Sequence, residues 1–190
     1  SETSILYSLG RKIVIHDIEH NKQKAIDIDS KVKAVTSLQV GPKKRYLAIC
    51  EEPNVKSNPP QVSVIDLKAE KPKRLRTLLN LNDAAEIVFT GSKYVDVDFS
   101  KDSKLIVAVT NEPTFTIIVW DWFRTRRVGA YDVRTVINRV RFNPFDAGQI
   151  SSSGGDHFRL WKVQENVLKA YPNFQGVTPG TIVTDHTWTK

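Results

Sequence analysis

Hydrophobic and polar residues alternate in short segments along most of this chain. In the clearest segment, Val95–Phe99, two Val and one Phe alternate with two Asp. Such alternation is typical of a β-strand that buries one face. Similar segments recur along the chain, separated by turns rich in Gly, Pro, Asn, Asp and Lys. The pattern therefore predicts an all-β protein.

The predicted strands repeat in groups of four. In the clearest group, Val95–Phe99 is followed by Leu105–Thr110, Phe115–Trp122 and Arg126–Tyr131. Four-stranded units that recur about every 40–45 residues are typical of β-propeller blades. A β-sandwich also has closely spaced strands, but it needs no four-strand period, so we favour the propeller. Equivalent third-strand positions lie 49, 55 and 41 residues apart: His16, Ile65, Trp120 and Trp161.

The repeats divide the chain into blades that are not all complete. The predicted blades cover residues 1–30, 35–80, 94–133 and 137–175, and a further first strand is expected near Ile182. We therefore expect about three to four blades of one larger, N-terminal propeller. The chain begins with Ser and contains no Met, so we expect it to be part of a longer protein.

Composition and charge narrow the class of partner. The chain has 190 residues, of which 40% are apolar and 26% charged, as in a soluble globular protein. No apolar run approaches the length of a transmembrane helix, so we expect no membrane span. The single cysteine, Cys50, suits a reducing compartment. The net charge of +7 favours an acidic partner.

The charges are predicted to be unequally distributed. We define the first face as the side with the first-to-second and third-to-fourth strand turns, and the second face as the opposite side. The turns predict fourteen basic and four acidic residues on the first face, against five basic and eight acidic ones, including Asp83, on the second. The candidate residues facing an acidic partner are Lys43, Lys44, Arg45, Lys71, Lys73, Arg74, Arg76, Arg124, Arg126 and Arg127.

The sequence contains no recognisable catalytic or metal-binding motif. Its four histidines form none of the common zinc-binding pairs, and no nucleophile elbow is present. We therefore expect no catalytic residue, no metal, no cofactor and no small-molecule substrate. The isoelectric point of about 9.5 keeps nucleic acid open as an alternative partner, with Trp122 and Phe123 beside Arg124 as the candidate stacking site.

Several motifs resemble the WD-repeat family. Trp120-Asp121 ends a third strand, Trp161-Lys162 occupies the equivalent position, and Ser152–Asp156 is similar to a second-strand ending. The resemblance implies a WD-repeat β-propeller in which Trp120, Asp121, Asp156 and Trp161 are structural. No Gly-His pair precedes a first strand, so the family's buried His–Ser–Asp–Trp network is incomplete; at most Ser152, Asp156 and Trp161 remain together.

Longer segments are similar to the cilia- and flagella-associated group of WD-repeat proteins. This resemblance implies a non-catalytic scaffold that helps dock inner dynein arms and regulatory complexes on doublet microtubules in the axoneme of motile cilia. The resemblance implies a location in the cytoplasm, the cytoskeleton and the ciliary axoneme, and tubulin as a further partner. It also implies a coiled coil outside this sequence. A WD-repeat scaffold that binds nucleic acid or ribonucleoprotein is the alternative. The segments that carry the resemblance are Lys44–Glu51, Val62–Leu67, Lys73–Asn80, Phe99–Leu105, Trp120–Trp122 and His186–Trp188.

Overall fold

A computed structural model describes residues 3–82, 84–88, 91–165, 167–172 and 176–189. The strands in these residues form four antiparallel sheets, which confirms the all-β prediction. No helix in the described ranges is long and apolar enough to cross a membrane. Asp83, counted above on the second face, lies outside the described residues.

Within each sheet, every strand pairs with the strand that follows it in sequence. Sheet 1 consists of β1 (Ser4–Leu9), β2 (Lys12–Asp17) and β3 (Lys22–Asp27). Sheet 2 consists of β4 (Val32–Val40), β5 (Tyr46–Pro53), β6 (Gln61–Asp66) and β7 (Lys73–Leu78). Sheet 3 consists of β8 (Tyr94–Phe99), β9 (Leu105–Thr110), β10 (Thr116–Asp121) and β11 (Arg126–Asp132). Sheet 4 consists of β12 (Arg139–Phe142), β13 (Gln149–Gly154), β14 (His157–Gln164) and β15 (Val167–Ala170).

The first strands of successive sheets lie side by side. Between β4 and β8, the Thr36 hydroxyl donates a hydrogen bond of 2.6 Å to the carbonyl of Tyr94. Between β8 and β12, the backbone N–H of Val140 donates to Asp96 Oδ2 at 3.0 Å. The sheets are therefore arranged like propeller blades, with their first strands innermost.

The apolar core lies between the sheets rather than inside any one of them. Side chains of sheets 2 and 3 form one cluster, those of sheets 3 and 4 a second, and those of sheets 1 and 2 a third. Because sheet 3 has a neighbour on each side, both faces of its strands are covered. This explains why β9 is a continuous apolar run, with Ile106, Val107, Ala108 and Val109 all fully buried.

Sheet 1 has three described strands, and β1 forms one of its edges. The N–H of Val35, on β4, donates a hydrogen bond to the carbonyl of Gly10, which directly follows β1. An equivalent bond joins the N–H of Val183 to the carbonyl of Gly154, at the end of the second strand of sheet 4. The strand β1 therefore occupies the position that a second strand has in the other sheets. At the other end of the chain, where a further first strand is expected, Ile182 forms an isolated antiparallel bridge with Gly155.

Candidate protein-interaction face

Turns of sheets 2 and 3 meet on the first face. The ring of Tyr46, at the start of β5, packs edge-on against Trp122, with the ring centroids 4.9 Å apart. Phe123 lies 6.1 Å from the same ring, and Arg76 Nε donates to the Phe123 carbonyl at 3.3 Å. The first face is therefore a continuous surface across at least these two sheets.

The turn between β10 and β11 is held rigidly. Trp122 is only 1% exposed, and its indole N–H donates to the Ser103 carbonyl at 2.7 Å. The N–H of Thr125 donates back to the Trp122 carbonyl, and the N–H of Arg124 donates to Asp121 Oδ1. Of the two rings considered for base stacking, Trp122 is thus a core side chain, and Phe123 alone is exposed.

The ten candidate partner-facing residues differ in exposure. Arg74 and Arg127 are half-buried. The other eight are exposed: Lys43, Lys44, Arg45, Lys71, Lys73, Arg76, Arg124 and Arg126.

Arg74 is engaged inside sheet 2. Its Nη2 lies 2.6 Å from Oε1 of Glu51, a carboxylate that is 1% exposed. The other carboxylate oxygen of Glu51 accepts hydrogen bonds from Ser63 and Gln61. A buried carboxylate needs such partners, because an uncompensated charge in the core is costly. Arg74 therefore stabilises sheet 2 and differs from the exposed basic residues of the face.

Acidic residues at strand ends partly neutralise the first face. Arg45 donates from Nη2 and Nε to Asp66, and the hydrogen bond from Arg45 holds the pKa of Asp66 below its usual value. Arg124 Nη1 lies 2.6 Å from Asp121; burial acts to raise the pKa of Asp121, but the hydrogen bonds from Arg124 bring it below its usual value. Both aspartates end strands and lie outside the turns, so the face is less basic than its turn residues alone predict.

A buried network links the second and third strands of sheet 4. The indole N–H of Trp161 donates to Ser152 Oγ at 2.7 Å, and the Ser152 hydroxyl lies 2.7 Å from His157 Nε2. Burial lowers the pKa of His157 to about 4, so the ring is neutral at pH 7 and its Nε2 shares a hydrogen bond with the Ser152 hydroxyl. Asp156 is exposed with φ at +48°, and its N–H donates to the Thr181 carbonyl. His157, which the sequence motif did not identify, thus joins the network instead of Asp156.

The other structural tryptophan lies between sheets 2 and 3. Trp120 is fully buried, and its indole N–H donates to the Leu79 carbonyl at 3.0 Å. Its ring packs edge-on against Tyr94, with the centroids 6.0 Å apart. Trp120 thereby joins β10 to the end of the neighbouring sheet.

Two buried aspartates of β8 are structural residues that the sequence pattern did not reveal. Asp96 accepts hydrogen bonds from the Val140 N–H and from Arg141 Nη1, and Asp98 accepts one from the Phe142 N–H at 2.8 Å. Burial raises the pKa of Asp96 and raises that of Asp98 to about 6. Both aspartates join the innermost strands of sheets 3 and 4. A signal that could have revealed them is the alternation of β12, in which Arg139 and Arg141 alternate with apolar residues.

The described residues include no group of three or more His, Cys, Asp or Glu side chains that could hold a metal ion. The one cysteine, Cys50, is fully buried, and burial raises the pKa of its thiol. The arrangement on the first face, with exposed cations around an aromatic turn, is suited to binding another macromolecule.

Curated relatives of this chain are ciliary proteins. Cilia- and flagella-associated protein 57 of mouse (Mus musculus) is 29% identical over 177 residues, which cover 92% of this chain and 13% of that protein. Cilia- and flagella-associated protein 44 of mouse is 28% identical over 163 residues, covering 84% of this chain and 8% of that protein. Protein 57 C of Tetrahymena thermophila is 24% identical over 185 residues, covering 94% and 14%. The chain thus spans a small part of these relatives. No family model matches it.

Solved structures with the same fold include WD-repeat propellers. A chain in the crystal structure of the mitotic checkpoint complex superposes with a TM-score of 0.68 at 18% identity, covering 89% of this chain and 50% of that one. The β-propeller domain of Cps50 (Swd1) from Myceliophteria thermophila superposes with a TM-score of 0.57 at 16% identity, covering 72% of this chain and 36% of that one. At such identities the likeness concerns the fold alone, and it confirms a partial WD-repeat β-propeller.

Proposed function

Because this chain is a homologue of cilia- and flagella-associated WD-repeat proteins, we propose that it is a non-catalytic scaffold in the axoneme of motile cilia. In this role it helps dock inner dynein arms and regulatory complexes on doublet microtubules. The observation that carries the proposal is the similarity to two ciliary proteins over most of the chain. Propeller blades suit a scaffold, because turns on two faces can hold several partners at once.

The first face is the surface that we assign to an acidic partner, with the tubulin lattice and its glutamate-rich tails as the candidate. Lys43, Lys71 and Lys73 are exposed there, beside Arg45, whose charge is partly offset by Asp66. Like-signed charges on one surface raise the rate of association with an oppositely charged surface. The effect should fade above about 0.15 M salt, where the Debye length is roughly 8 Å.

The ciliary role is tested by tagging the full protein in cells with motile cilia and by deleting its gene. We expect the tag along the axoneme, resistant to detergent extraction, and a loss of inner dynein arms in the deletion strain. A tag confined to the nucleus or cell body would contradict the proposal. Intact inner arms in the deletion strain would contradict the docking role.

The role of the first face is tested by co-sedimentation of the full chain with microtubules. The triple variant Lys43→Glu, Lys71→Glu, Lys73→Glu should bind more weakly at low salt, and removal of the tubulin tails should have the same effect on the unmodified chain. The matched control reverses three exposed cations of the second face: Lys31, Lys56 and Arg134. Equal losses for both triple variants would show that net charge, not this face, governs binding.

A further inference from the structure

The exposed turn of sheet 3 and the start of sheet 2 form a small surface that combines aromatic rings with cations. We propose that this aromatic–basic patch, made of Lys43, Arg45, Tyr46, Arg76 and Phe123, binds an acidic peptide segment that carries an apolar side chain. The inference rests on the proposed scaffold function and names the chemical class of one partner. The apolar side chain would lie on the rings, and its flanking carboxylates would meet the cations.

The aromatic part of the patch is preorganised. Phe123 is 49% exposed, yet its ring stacks on buried Trp122 with the centroids 3.8 Å apart and the planes at 27°. The edge-on contact with Tyr46 holds the ring from a second side. A ring fixed in this way loses little conformational entropy when a partner covers it. Rigid aromatic and arginine side chains are also those enriched among the residues that dominate binding energy.

The cations of the patch are placed by the same contacts. The guanidinium carbon of Arg45 lies 5.2 Å from the centre of the Tyr46 ring, and the Arg45 side chain is 51% exposed. The Arg76 guanidinium donates hydrogen bonds to the carbonyls of Leu75 and Phe123. Carbonyl groups carry no net charge, so these bonds orient the guanidinium without neutralising it. Lys43 is exposed in the turn just before β5. Because Arg45 is also paired with Asp66, the carboxylates of a bound peptide would mainly meet the positive charges of Arg76 and Lys43.

This combination favours a peptide over a nucleic acid. Platforms that bind single strands stack successive bases on several exposed rings. Here Trp122 is buried and Tyr46 is half-buried, so Phe123 is the one ring of the patch that is open enough for stacking. A purely glutamate-rich tail would use the cations but leave Phe123 uncovered. An acidic segment with a single aromatic or large aliphatic residue would use both parts.

The proposal is tested by fluorescence anisotropy with the full chain and a labelled synthetic peptide, in which a central Phe is flanked on both sides by short runs of Glu. Phe123→Ala should weaken binding about tenfold, as expected for an anchor residue. The matched control is Phe145→Ala. Phe145 is 51% exposed in the first turn of sheet 4, on the same face, so its removal should change affinity less than about twofold.

A second variant and three further probes complete the test. Lys43→Glu, at an exposed turn position, should weaken binding more than Lys31→Glu does. A peptide with Ala in place of Phe, a Lys-flanked Phe peptide and oligouridylate should all bind more weakly than the Glu-flanked Phe peptide. Equal binding of the Ala peptide, equal effects of Phe123→Ala and Phe145→Ala, or tighter binding of oligouridylate would overturn the proposal. Axonemal localisation of the Phe123→Ala protein, scored separately, reports on the proposed function and not on the patch.

Discussion

Two neighbouring carboxylates of β5 should differ sharply in their contribution to stability. Glu51 is 1% exposed and accepts hydrogen bonds from Arg74, Ser63 and Gln61. Glu52 pairs with Lys33 at 2.7 Å, but the Lys33 side chain is 63% exposed. Replacing each glutamate in turn with Ala therefore compares a buried ion pair with a surface one on the same strand.

The expected losses follow from burial. Removing one partner of a buried ion pair typically costs about 3–5 kcal/mol, because the other charge stays buried without compensation. Arg74 is 31% exposed at its side chain and can partly reach water, so we expect about 3 kcal/mol for Glu51→Ala. An exposed pair contributes about 0–1 kcal/mol, so Glu52→Ala should cost no more than that.

The assay is urea unfolding of the full chain, followed by tryptophan fluorescence, with Trp120, Trp122 and Trp161 as buried reporters. Raising the salt concentration should reduce the small effect of Glu52→Ala and leave that of Glu51→Ala nearly unchanged, because buried pairs are screened much less. If the two variants lose equal stability, or if Glu51→Ala loses less than about 1 kcal/mol, the assignment of Arg74 to the inside of sheet 2 is refuted.

Three further predictions concern the core and its titration. Trp120→Ala and Trp161→Ala should each cost about 3–5 kcal/mol, and unchanged protease resistance of either variant would contradict their burial. Burial raises the pKa of Asp98 from 3.8 to about 6, so its stabilising contribution is complete below pH 3.8 and is lost as the pH rises through about 6. The loss amounts to up to about 3 kcal/mol, and Asp98→Asn should remove it from the pH profile of the free energy of unfolding. Burial lowers the pKa of His157 from 6.5 to about 4, so its contribution is present above pH 6.5 and is lost as the pH falls through about 4; His157→Phe should flatten the acid limb of the same profile.

The strand pattern of the fold could be predicted because alternation and turn chemistry are local. Leu105–Thr110 coincides with β9, and the four-strand repeat is present in sheets 2, 3 and 4. Blade packing is not local, and there the sequence was less informative. Asp96 and Asp98 alternate with Val and Phe as solvent-facing residues do, yet both are buried, because β8 has an innermost strand on each side.

The sequence predicts which residues of the candidate site are basic and exposed, but not which acidic residues they pair with. Most of the predicted basic residues are exposed, as turns require. Arg74 is directed to Glu51, which lies more than twenty positions earlier in the chain, and spacing alone does not reveal such a contact. Asp66 and Asp121 end strands and lie outside the turns, although they pair with Arg45 and Arg124 and partly offset their charge. The patch around Phe123 depends on two sheets meeting, which only the three-dimensional structure describes.

The central claim is most directly tested by electron cryotomography of axonemes whose copy of this protein carries a dense tag. Averaging over the doublet repeat should place the tag at the base of an inner dynein arm, with the propeller against the doublet surface. Axonemes without the protein should lack density at that position and in the arm it supports. A tag absent from the doublets, or located there while every inner arm remains intact after deletion, would contradict the account.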